Sequence, residues 1–113
     1  MAWESGLVER LRRGETVTFR PHGNSMAPRI KSGQLVTVAP AIHHEDVAVY
    51  QFGDMCASVT RNDVVFCKVG GRLMLHLVTA YRAGQYQISN SSNHVNGWTP
   101  AKNIYGVLIG VES

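Results

Sequence analysis

Apolar residues recur along this chain with two different periods, and the change comes at Gly14. Before it, Trp3, Leu7, Val8 and Leu11 fall at the spacing of one helical face, and Glu9, Arg10, Arg12 and Arg13 fill the other. The spacing predicts a short helix within residues 1–14, stopped by Gly14. Its apolar stripe is expected to pack on the domain. The "RLRR" cluster reads as a solvated face rather than a nucleic-acid contact.

Beyond Gly14 the period drops to two. "TVTFRPH", "LVTVAP" and "DVAVYQF" alternate, and "DVVFCKV" is a nearly continuous β run. Gly70-Gly71 predicts a hairpin turn into "RLMLHLVTAYR", and Ala83-Gly84 a turn into "QYQIS". A polar loop, "NSSNHVNGWTPAKN", then precedes a last strand, "IYGVLIGV". The pattern amounts to about seven short strands. We expect a mainly β fold in which residues 15–113 form a single compact, barrel-like, multi-sheet domain behind the short N-terminal helix.

The totals narrow the function classes. A length of 113 residues fits one domain, and 44% hydrophobic residues supply a core. A net charge of +3 is only mildly basic. Arg20, Arg29, Lys31 and Arg61 are scattered without interleaved aromatics, so nucleic acid is not an expected partner. No apolar run reaches the roughly 20 residues that span a bilayer, and "MAWESGLVERLRRG" lacks the apolar centre of a secretory signal. The expectation is a soluble, cytoplasmic protein without a membrane anchor. Cys56 and Cys67 form no C-x-x-C pattern and read as free thiols, Cys67 in a buried strand. In "HHED", His43 and His44 point to opposite faces if the segment is extended; the stretch reads as a solvated loop, with no metal or other cofactor expected.

Two residues invite chemistry. Ser25 lies in "GNSMAP", between the backbone freedom of Gly23 and the stiffness of Pro28, with Met26 available to anchor the corner in the core. A serine needs a base, and backbone N–H groups at such a turn are suited to hold an oxyanion. His76 is the candidate base. It sits in "LMLHLVTA", where alternation groups Met74, His76 and Val78 on one face and Leu73, Leu75 and Leu77 on the other. An imidazole in apolar surroundings is held neutral, the form a general base requires. Lys68 as an alternative base reads as a solvated edge charge, and Cys67 as a nucleophile lacks the neighbours that lower a thiol's pKa. Trp98 is open to two readings, a partner contact or a cover on the core edge.

The order "GNSMAPRIKSGQLVTV", "NDVVFCKV", "RLMLHLVTA", "YQISNSSNHVNGWTPAKNIYGVLIGV" resembles the superfamily of type I signal peptidases and LexA-like, phage-repressor self-cleaving serine peptidases, over residues 18–111. The resemblance implies Ser25 as nucleophile and His76 at the general-base position. That position holds lysine in bacterial signal peptidases and histidine in the archaeal and endoplasmic-reticulum type, so the chain is similar to the Ser-His branch. Met26 and Pro28 match the structural part of the serine box. Gly33-Gln34 and Asn62-Asp63 are partial matches to the family's two Gly-Asp positions.

The chain departs from the pattern in several places. Leu77 stands where the family has arginine after the base. The loop "SNSSNHVNGW" has no acidic residue to orient the histidine, and Asn90, Asn93 or Asn96 is the expected substitute, with His94 also available. Neither the transmembrane anchor of signal peptidases nor the DNA-binding helix-turn-helix of the repressors is expected here, since the roughly 17 residues before the matching region are too few for one. Ala83-Gly84, the one Ala-Gly pair, lies downstream of Ser25, so repressor-type self-cleavage is not expected. Two functions from different classes follow. One is a small peptidase that hydrolyses a peptide or protein substrate by a Ser-His dyad. The other is a catalytically degenerate module that binds a peptide, dimerises, or serves a phage- or repressor-related regulatory role. A nucleic-acid accessory role is a third and weaker reading.

Overall fold

The computed structural model describes residues 2–23 and 25–113, with side chains from residue 6 onward. Helix α1, Ala2–Arg12, buries Leu7 and Leu11 against the sheet, with Val8 partly covered. Trp3, expected on the same stripe, lies outside the described side chains. Gly14 ends the helix with φ +86°. There the Glu15 N–H reaches back to Arg10 O and the Gly14 N–H to Leu11 O, which satisfies carbonyls the last turn would leave open. The basic cluster is engaged within the chain. Glu15 pairs with Arg10 at 3.0 Å and with Arg13 at 3.1 Å, and Arg12 lies over the Tyr105 ring. Both arginines hold the Glu15 carboxyl below its usual pKa.

The described residues form nine strands: β1 (Val17–Phe19), β2 (Leu35–His44), β3 (Val47–Phe52), β4 (Met55–Ser58), β5 (Val64–Val69), β6 (Arg72–Arg82), β7 (Gln85–Ser89), β8 (Val95–Pro100) and β9 (Ile104–Glu112). The sequence pattern misses two of these. β4 is "MCAS", too short to show a period, and β8 is "VNGWTP", which reads as loop because Asn96, Gly97 and Pro100 are turn-forming residues and Val95 and Trp98 do not fall at a two-residue spacing. His43 and His44 also belong to a strand, the exposed end of β2, and only Glu45 and Asp46 make the turn. Among the described residues no His, Cys, Asp or Glu cluster could hold a metal.

All pairings are antiparallel, in the order β4-β3-β2-β9-β5-β6-β7-β8, with β1 beside β2. The path is open at β4 and β8, so the sheet is not closed into the expected barrel-like form. It curls instead. Register shifts at Thr37/Val38, Phe66/Cys67, Val78/Ala80 and Ile88/Ser89 act as bulges, which bend and twist a strand. The curl brings β8 back over β5, where Thr99 Oγ1 donates to Lys68 O at 2.6 Å.

The curled sheet carries a core on each side. One holds Val65, Cys67, Val78, Tyr86 and Ile88; the other holds Leu7, Leu11, Met26, Ile30, Val38 and Phe66. β6 divides them, with Met74 and Val78 on the first and Leu73, Leu75 and Leu77 on the second. No helix among the described residues is long and apolar enough to cross a membrane.

Candidate active site

Ser25 lies on the long connection between β1 and β2, which carries its own bracing. Gly33 N–H donates to Pro21 O at 2.9 Å, Gly23 N–H to Ser32 Oγ at 3.1 Å, and Ile30 N–H to Met26 O at 3.0 Å. Met26 and Ile30, 4% and 3% exposed, pin the segment into the second core. Gly23, at φ +111°, takes a backbone conformation that side chains rarely allow. Pro28 follows a cis Ala27–Pro28 bond. Arg20 Nη1 donates to Gly33 O and Arg29 Nη1 to Asn62 O, so two of the scattered arginines tie loops together.

The strongest brace comes from a residue the sequence pattern does not single out. Ser91 N–H donates to Ser25 O at 3.0 Å, and Ser91 Oγ lies 3.1 Å from Ser25 O and 2.6 Å from Ala27 O. The β7–β8 turn therefore clamps the backbone on both sides of Met26. One serine in "NSSN" looks like another, so no local signal marks Ser91.

His76 projects from the middle of β6. Its Nε2 lies 2.9 Å from Ser25 Oγ, and its Nδ1 lies 2.7 Å from Asn96 Oδ1 on β8. An amide oxygen only accepts, so Nδ1 carries the ring proton and Nε2 presents its lone pair to the serine hydroxyl. Burial lowers the His76 pKa below the ordinary value, and the bond to Asn96 pulls weakly the other way. The ring is thus held neutral, in the tautomer a base facing Ser25 requires.

Of the three asparagines, Asn96 meets the ring. Asn90 Oδ1 accepts instead from the N–H groups of Ser92 and His94 and shapes the turn. Asn93 takes a left-handed conformation at its tip, φ +66°, and its N–H donates to Asn90 O. His94 is exposed and contributes its backbone to the same turn. Asn62 and Asp63 also form a turn, with Asp63 Oδ2 accepting from Thr60 N–H. Lys68 is exposed on β5. Burial pushes the Cys67 thiol up to about 12, which suits a core residue and not a nucleophile. Trp98 is 42% exposed.

Ser25 and His76 open onto a groove of about 450 Å³. Phe19, Met26, Ile30, Phe66, Leu73 and Leu75 give it an apolar wall, and His76, Asn96, Met74 and Arg72 line it as well. The groove follows β6 where that strand has a free edge. β5 pairs with Arg72–Leu77, whereas β7 pairs only from Leu77 onward. No family model and no curated protein matches the chain.

Proposed function

We propose that this chain is a small cytoplasmic serine peptidase of the LexA and signal-peptidase-like fold that cuts a peptide or protein substrate with the Ser25-His76 dyad. The observation that carries the reading is the 2.9 Å approach of His76 Nε2 to Ser25 Oγ with Nδ1 tied to Asn96. Ser25 Oγ attacks the carbonyl carbon as its proton passes to Nε2. The backbone N–H groups at Ser25 and Met26 hold the oxyanion. His76 then gives that proton to the leaving amine, and water, deprotonated by the same ring, releases the acyl group. Asn96 keeps the ring oriented without supplying a charge. The substrate lies extended and pairs with the free edge of β6.

The test is covalent labelling with a fluorophosphonate. The expected result is one adduct on Ser25, lost in Ser25→Ala and His76→Ala, together with cleavage of a member of a mixed peptide library. An unlabelled but folded protein would end the catalytic reading. A second reading, a module that holds a peptide, pairs with a copy of itself or regulates without turnover, is favoured by one observation: the partner of the His76 ring is a neutral amide. Labelling without peptide turnover would select it.

A further inference from the structure

The groove has a charge at one end and an apolar wall along its length, and both lie in register with β6. Val69 and Arg72 flank the two-residue Gly70-Gly71 turn and form the first pair of the β5–β6 ladder. In such a hairpin the flanking residues exchange backbone hydrogen bonds, and the direction then alternates along the strand. Arg72, Met74 and His76 turn their backbone groups toward β5, and Leu73 and Leu75 turn theirs toward the free edge. At Val78 the same alternation is visible: its N–H donates to Asp63 O and its C=O accepts from Asn62 N–H, on the β5 side.

A strand added at that edge pairs with the backbone of Leu73 and Leu75, and its side chains alternate between the faces of β6. Those opposite Leu73 and Leu75 meet the apolar wall. Those opposite Arg72 and His76 fall on the other face, about four residues or ~13 Å apart. Arg72 is exposed, and among the described residues no hydrogen bond or ion pair engages its guanidinium. Among the described residues, no acidic side chain lines the groove.

We infer that Arg72 selects the ligand: the groove takes an extended peptide with a carboxylate side chain about four residues from the residue opposite His76, and apolar side chains at alternate positions between. The inference rests on the peptidase reading for the position of the cut, but the charge preference stands on groove geometry alone. Arg72 is a specificity residue and touches no reacting atom.

The experiment uses the whole chain and an apolar decapeptide series in which a single Glu, Gln or Lys is walked along the sequence. Binding to Ser25→Ala is read by fluorescence anisotropy, and cleavage by the wild type is read in parallel. Glu about four residues from the cut is expected to bind about threefold to fivefold tighter than Gln, the upper range for a solvent-exposed pair, and to lower KM rather than raise kcat. Arg72→Glu is expected to reverse the preference toward Lys at the same position, which a merely structural role for Arg72 would not do. Cleavage without any charge preference overturns the inference and leaves the peptidase reading intact. Charge-selective binding that depends on Arg72, without cleavage, supports the inference and overturns the peptidase reading. Absence of both overturns both.

Discussion

His76 Nδ1–H donates a hydrogen bond to Asn96 Oδ1 at 2.7 Å, and that bond leaves Nε2, 2.9 Å from Ser25 Oγ, as the basic nitrogen of the ring. An aspartate at this position would fix the same tautomer and also stabilise the imidazolium that forms as the proton moves. Asn96 does the first and not the second. Asn96→Asp is therefore expected to raise the fluorophosphonate labelling rate at alkaline pH about tenfold and to move the pH inflection upward, because a carboxylate beside the ring favours its charged form. Asn96→Ala frees the ring and is expected to lower the rate about a hundredfold. Equal rates in all three proteins would show that Asn96 does not orient the base.

The pH dependence follows from burial of the same ring. Labelling needs neutral His76, so its rate is expected to rise with pH through an inflection below the ordinary histidine value of about 6.5. Stability carries the same sign. Between the folded and unfolded pKa values the unfolded chain binds the extra proton, so stability increases with pH. The His76 contribution is complete above the unfolded value and is lost as pH falls through the depressed folded value. Urea melts of the wild type and His76→Gln across this range should show a shallower pH slope in the variant. An inflection above the ordinary histidine value would contradict the burial argument.

Ser91 positions Ser25, the proposed nucleophile, through backbone. It contacts both Ser25 O and Ala27 O, so Ser91→Ala loosens the corner while leaving Ser25, His76 and Asn96 in place. The labelling rate is expected to fall about tenfold to a hundredfold, as small displacements of a reacting group do. The pH inflection should not move, because Ser91 makes none of the contacts that set it. A shifted inflection would mean that Ser91 acts on the ring.

How much could be read beforehand depends on the element. β6 was legible because "RLMLHLVTAYR" combines strand period with a lone titratable residue, and Gly70-Gly71 announces its turn. Both glycines have positive φ, at +56° and +80°. β8 was not legible: Val95, Asn96 and Trp98 are all exposed and only Thr99 is buried, so tertiary pairing with β7, more than burial, makes the strand. That is also why the sequence left Asn90, Asn93 and Asn96 open. The choice among them depends on which one the curled sheet carries over His76. The barrel-like expectation failed for a related reason, since whether a sheet closes depends on its edges and bulges and not on the period of its strands.

The two cysteines differ in reactivity for a physical reason. Cys67 is fully buried in the first core, where desolvation disfavours the thiolate, and Cys56 is exposed on the edge strand β4. A chromogenic disulfide reagent at neutral pH is expected to titrate one thiol quickly in the native protein and the second only after denaturant is added. Two fast equivalents without denaturant would place Cys67 within reach of solvent.

Among the described glycines Gly106 has the least room for a side chain, and its replacement separates packing from chemistry. It lies on β9 between Pro40 of β2 and Phe66 of β5. A Cβ there would collide with Val38 Cγ1, and would stand 2.8 Å from Ala39 O and 3.2 Å from Leu11 Cδ2. Two of these neighbours cannot swing aside: Val38 is a fully buried β-branched side chain, and the Ala39 carbonyl is backbone. β2 must therefore shift away from β9, with Leu11 of α1 giving way by a smaller amount, and overpacking of this kind typically costs about 1–3 kcal/mol. Gly110, on the same strand, is the control: a Cβ there would meet nothing nearer than Thr37 Cβ at 3.7 Å, an ordinary contact. Urea melts should therefore show a lower midpoint with an unchanged slope for Gly106→Ala and a shift within about 0.5 kcal/mol for Gly110→Ala. If both variants melt with the wild type, β2, β9 and α1 are packed more loosely than these contacts require.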